Sequence, residues 1–276
     1  MSELVSTNWV YKNLNNRKLV ILDCSWHMPQ EKRDAKKEYD KMHIKNTYFF
    51  DIDKISDIKT NLPHMLPSQR KFEEKVRSFG INQSSLIVAY DVKGIFSSPR
   101  VWWMFKYFGH KNIFVLNGGL KKWLKEKKTV TNKKTYFKKG NFISRLSKEW
   151  LVTKNEVLES INRKKSLTLD ARHKDRFNGK VKELRKGLRS GHIPGSKNIF
   201  WGNLINLKGT LVSKKKINNL FNKFHIKDKK IITSCGSGIT ACILSVSLLH
   251  RLKIQTSVYD GSWTEWGQNK KLPISK

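Results

Sequence analysis

Ser234-Cys235-Gly236-Ser237-Gly238-Ile239-Thr240-Ala241 leads from an apolar run into an apolar helical pattern. A cysteine so placed is suited to act as a sulfur nucleophile. Gly236 and Gly238 free the backbone to curl, so successive N–H groups can turn inward as an anion-binding nest. A helix expected to begin near Ile239 adds the positive end of its dipole. Both features stabilise a thiolate, the reactive form of cysteine. Phosphatase loops share this plan but close it with an arginine after five intervening residues. Ala241 stands there instead, and a tetrahedral dianion loses its bidentate clamp. A small loop of neutral residues suits a single added sulfur atom, carried as a persulfide on Cys235.

Strands and helices must position that loop. Leu19–Asp23, Leu86–Asp91, Leu167–Asp170, Lys230–Ser234 and Ser257–Asp260 are short apolar runs of the kind buried in parallel sheets. Helical patterns cover Pro99–Phe108, Lys214–Phe224 and Ile239–Arg251. The two halves of the chain also match. Asp23 corresponds to Asp170 at an offset of 147, His43 to His192 at 149, Asp91 to Cys235 at 144 and Asn117 to Asp260 at 143. Four landmarks in one order at a nearly constant offset define a duplicated α/β domain. Expected boundaries are a first domain over 1–128, a basic linker over 129–149 and a second domain over 150–276. The first copy has Asp91 where the second has its cysteine, so thiol chemistry belongs to the second alone.

Composition narrows the setting. The chain has 276 residues and 38% hydrophobic content, enough for two cores despite a mean hydropathy of −0.57. Fifty-six Lys and Arg against 22 Asp and Glu give a net charge of +34. That balance raises a polyanion-binding protein as the rival reading. However, 44 of these cations are Lys and 12 Arg, scattered in short clusters such as Lys214-Lys215-Lys216. Nucleic-acid readers favour Arg, so a lysine-dressed surface is the better reading and nucleic acid is not the expected partner. Three cysteines are too few for a disulfide framework. With no secretory signal and no long apolar run, a reducing, cytoplasmic setting away from membranes is expected. Cys24 and Cys242 fit small core positions, as do Trp102 and Trp103. His43 and His192, equivalent in the two copies, fit a shared structural turn. No Cys/His spacing suits a metal site.

The chain resembles the 3-mercaptopyruvate sulfurtransferases, the two-domain rhodanese family, over almost its whole length. The resemblance rests on C-G-S-G-I-T-A from Cys235, D-G-S-W-T-E-W from Asp260, S-G-H-I-P-G-S from Ser190, S-P-R-V-W-W-M-F from Ser98 and P-H-M-L-P from Pro63. It implies two tandem rhodanese-like α/β domains, each a mostly parallel sheet flanked by helices. The implied catalytic residues are Cys235, Ser237, His64 and Asp53, with Ser237 relaying a proton to His64 and Asp53 fixing the imidazole. Arg176 and Arg185 fall on the family's donor-binding arginines, and Gly236, Gly238, Ile239 and Thr240 line the loop. Around Arg185 the family's P-E-P-R is K-E-L-R here. The implied donor is 3-mercaptopyruvate, since the thiosulfate-preferring branch carries basic residues inside the loop and this chain has none. Thiosulfate remains the alternative donor. The acceptor would be a thiol, a thioredoxin-like dithiol or cyanide, and no metal or organic cofactor is implied.

Overall fold

The computed structural model describes residues 2–163 and 165–276. The chain divides into two compact units. The first comprises Met1–Ile58, Leu66–Ser147 and Asn206–Leu211, and the second Lys59–Met65, Lys148–Ile205 and Val212–Lys276.

In the first unit, β1 (Leu4–Val5), β2 (Leu19–Asp23), β3 (Thr47–Phe49), β4 (Leu86–Tyr90) and β5 (Ile113–Leu116) form one sheet in the order β1-β5-β4-β2-β3. All its pairings are parallel. Every residue of β2 is buried, as a strand covered on both faces requires. Leu19, Ile21, Val88, Tyr90, Phe114 and Trp123 share one core beside the sheet. Residues of the 129–149 stretch pack along this unit: Thr131 pairs with His43 and Phe142 is fully buried.

The second unit repeats the plan. Its strands are β6 (Leu151–Val152), β7 (Ser166–Asp170), β8 (Lys197–Asn198), β9 (Lys230–Ser234) and β10 (Thr256–Tyr259). They run in the order β6-β10-β9-β7-β8, again all parallel. Val152, Ile193, Ile232, Tyr259, Trp263 and Trp266 form its core. The sequence landmarks fall at equivalent places: β2 and β7 end on Asp23 and Asp170, and Asp91 and Cys235 each follow the last residue of the central strand. His43 and His192 each join an antiparallel bridge, to Thr131 and Ser275. Each stacks on an aromatic ring, Tyr39 and Phe177, with centroids 4.1 and 3.8 Å away. They are structural residues of a shared turn.

One expectation is corrected. The helix after the cysteine loop spans Ala241–Leu252 rather than starting near Ile239, and no side chain caps it. Ile239 and Thr240 remain in the curl of the loop, because Gly238 at φ +78° turns the chain through the left-handed region first. Among the described residues, no helix is long and apolar enough to cross a membrane.

Candidate active site

Cys235 leaves the end of β9 and is 2% exposed. Its backbone is fixed on two sides. The Cys235 N–H donates to Ser262 Oγ at 3.1 Å, and its carbonyl accepts from the Trp263 amide at 2.9 Å. The next carbonyl, that of Gly236, accepts from the Thr264 amide at 2.9 Å and from Thr264 Oγ1 at 2.6 Å. The D-G-S-W-T segment is therefore stitched to the loop, and β10 beside β9 brings it there.

Within the curl, Ser237 and Ile239 are buried, with Thr240 half-exposed at its end. Among the described residues, the amides of Ser237, Ile239 and Thr240 donate to no protein acceptor. The first unit displays what such a turn holds. There the Asp91 carboxylate accepts from the amides of Lys93, Gly94, Phe96, Ser97 and Ser98 and from the Ser98 hydroxyl, at 2.7–3.1 Å. The loop after the central strand is thus an anion nest in this fold, and in the first unit its own side chain fills it.

His64, on the 59–65 segment of the second unit, is 5% exposed and meets the loop directly. Its Nδ1 lies 3.1 Å from Ser237 Oγ and 3.3 Å from the Ser237 carbonyl oxygen. Its backbone sits at φ +62°, a left-handed conformation that costs a histidine about 1 kcal/mol or more. Pro63 precedes it, and the proline ring stiffens the approach.

Arg176 lies on the short helix Lys174–Phe177. A Cβ on Gly236 would stand 3.4 Å from its Nη2 and 3.9 Å from its Nη1. Glycine at 236 therefore allows the guanidinium to lie against the loop. Arg176 Nη2 also donates to Glu183, whose side chain is 1% exposed. Arg185 follows two residues on and is half-buried.

The structure thus gathers Cys235, Ser237, His64, Arg176 and the loop residues in the second unit. Asp53 belongs to the first unit, in the opening turn of the helix Ile52–Ile55, where its Oδ2 accepts the Trp26 indole N–H at 3.1 Å. Cys24 and Cys242 are fully buried. Cys242 donates to the Gly238 carbonyl at 3.3 Å, and burial pushes the Cys24 thiol well above its usual range.

Two residues near the site carried no sequence signal strong enough to be singled out. Ser262 is fully buried at φ +48°, donates to the Tyr259 carbonyl at 2.8 Å and places its Oγ 4.0 Å from Cys235 Sγ. It lies inside the quoted D-G-S-W motif, where a non-glycine residue forced into a left-handed turn leaves no periodic trace. Glu183 stands in a basic loop segment, where a charged residue in sequence gives no sign of being buried.

A parallel five-stranded sheet, found twice, with a buried cysteine directly after the central strand of the second, defines the class, and the comparisons with known proteins agree. The rhodanese-like domain pattern matches residues 6–126 and again 153–269. The chain belongs to the rhodanese-like family. It is 40% identical to thiosulfate/3-mercaptopyruvate sulfurtransferase 1, mitochondrial, of Arabidopsis thaliana, covering 98% of this chain and 77% of the relative. It is 35% identical to the 3-mercaptopyruvate sulfurtransferase of Escherichia coli K12, covering 98% and 96%. The crystal structure of SseA from Escherichia coli, described as a 3-mercaptopyruvate sulfotransferase, superposes with a TM-score of 0.86 at 32% identity, covering 95% of this chain and 99% of that one.

Proposed function

We propose that the protein is a sulfurtransferase that takes sulfur from 3-mercaptopyruvate onto Cys235. The observation that carries this reading is the buried Cys235 at the mouth of an amide-lined curl, with His64 against Ser237 and the Arg176 guanidinium close to Gly236 of the same loop. Arg176, with Arg185 from the same segment, holds the donor carboxylate through guanidinium hydrogen bonds.

The donor thiol loses its proton through the Ser237 hydroxyl to His64. Cys235 thiolate attacks the donor sulfur, a sulfur–sulfur bond forms and the donor's carbon–sulfur bond breaks. The electron pair of that bond becomes the enolate of pyruvate, which takes the proton back at carbon. The persulfide's outer sulfur, negatively charged, faces the amides of Ser237, Ile239 and Thr240 as Asp91 faces its own loop. An acceptor thiolate, from a small thiol or a thioredoxin-like dithiol, then attacks the outer sulfur and restores Cys235. Double displacement of this kind gives ping-pong kinetics. No step requires a metal or an organic cofactor.

Thiosulfate is the second donor to consider, because the Arabidopsis relative is named for both. Attack on its outer sulfur would release sulfite and leave the same persulfide. A reducing compartment such as the cytoplasm suits three cysteines that form no disulfide. The test is pyruvate release from 3-mercaptopyruvate by the wild type and by Cys235→Ser. The substitution is expected to abolish it, and full release by the variant would refute the reading.

A further inference from the structure

Glu183 stands between two arginines, and its surroundings suggest more than packing. One of them, Arg172, is 1% exposed and immobilised from every side. It donates through Nε and Nη2 to both oxygens of Asp170 at 2.7–3.1 Å, and through Nη2 to the Gly191 carbonyl at 2.8 Å. Its guanidinium lies 4.3 Å from the centre of the Trp263 ring, the residue whose amide binds the Cys235 carbonyl. Arg172 Nη1 donates to Glu183 Oε1 at 2.7 Å. The other oxygen of Glu183 takes Arg176 Nη2. Arg176 is thereby held against Gly236 at the end of an anchored chain that runs Asp170, Arg172, Glu183, Arg176.

Charge balances along that chain: two carboxylates face two guanidinium groups. The buried Glu183 carboxylate already matches the positive charge that Arg176 presents to the loop. Gly236-Ser237-Gly238 contributes no charge of its own. A donor head group with one negative charge can use the N–H groups of Arg176 and Arg185 without demanding a further cation. A head group with two charges meets Glu183 as a nearby repulsive partner in a poorly solvated place.

We infer that Glu183 is a positioning residue that sets the charge of the accepted donor, favouring singly charged carboxylates such as that of 3-mercaptopyruvate over dianions such as thiosulfate. This rests on the donor-binding role proposed above for Arg176. Steady-state kinetics with both donors on the wild type, Glu183→Gln, Glu183→Asp and Arg176→Gln tests it. Glu183→Gln keeps the shape and removes the charge. Its ratio of kcat/KM for thiosulfate to that for 3-mercaptopyruvate is expected to rise about tenfold, mostly through a lower KM for thiosulfate. Glu183→Asp keeps the charge and is expected to keep the ratio near that of the wild type while lowering activity with both donors. A purely structural glutamate would lower both activities in either variant and leave the ratio alone, and that result would overturn the inference. If Arg176→Gln left KM for both donors unchanged, the donor-binding reading beneath it would fall instead. Inhibition of the wild type needs no variant to fold: pyruvate is expected to compete with the donor more strongly than sulfate, and the reverse order would also overturn the inference.

Discussion

Asp91 holds in the first unit the place that Cys235 holds in the second: each is the residue after the central strand, at the mouth of the same turn. Asp91 is 1% exposed and its carboxylate collects five backbone amides and one hydroxyl. A carboxylate and a persulfide both project a negative atom two bonds beyond Cβ, so one loop design serves both. In the first unit the anion is permanent and structural, and in the proposed mechanism the second unit's anion is transient.

Asp91→Ala would leave those donors buried without an acceptor. The cost is expected to be on the order of 3 kcal/mol, read as a lower unfolding midpoint in denaturant. Asp91→Asn should fall between, since its amide group faces amides that are themselves donors. An unchanged midpoint in Asp91→Ala would mean that the loop does not depend on its anion.

His64 and Ser237 are 173 residues apart in sequence and 3.1 Å apart in space. Ser237→Ala and His64→Ala are each expected to lower kcat for 3-mercaptopyruvate by roughly a hundredfold, in the range of proton-transfer catalysis. The double variant should lose little more than either single one, because the two act as a unit. Additive losses would separate them.

Much of this arrangement was legible in the sequence for a physical reason. Cys235, Gly236 and Gly238 fall within four consecutive residues, and their spacing alone dictates a turn between a strand and a helix. The duplication exposed Asp91 as the silent counterpart. The long central strands β2, β4, β7 and β9 showed themselves as apolar runs, whereas β1, β6 and β8 are two residues long and carry no period. The pairing of His64 with Ser237 is set by tertiary structure. Nothing local to Pro63-His64 indicates its target, and only the family resemblance named it. Ser262 sits in a left-handed turn and Glu183 in a buried charge chain, neither of which a one-dimensional pattern records.

Asp23 gives a pH dependence to stability. Burial raises its carboxyl from an ordinary value of 3.8 to about 6. The folded protein therefore holds this proton at pH values where the unfolded chain has lost it. Stability from this group is fully present below about pH 4 and is lost as pH rises through about 6, to the extent of about 3 kcal/mol. Asp23→Asn should remove that downward slope in denaturant titrations between pH 4 and 7. An identical slope in the variant would assign it to other groups.

The net charge of +34 should steer anionic donors. kcat/KM for 3-mercaptopyruvate is expected to fall about threefold between low salt and roughly 0.5 M salt, with kcat nearly constant. A salt-independent kcat/KM would reduce the basic surface to a role in solubility.

A persulfide on Cys235 is the centre of the proposed mechanism, and intact-protein mass spectrometry after mixing with 3-mercaptopyruvate, without acceptor, tests it most directly. The wild type should gain the mass of one sulfur atom, mapped to the peptide containing Cys235, with one pyruvate released per chain. Cys235→Ser should gain nothing. A wild-type mass that stays unchanged while pyruvate accumulates, or a sulfur adduct that persists in Cys235→Ser, would contradict it.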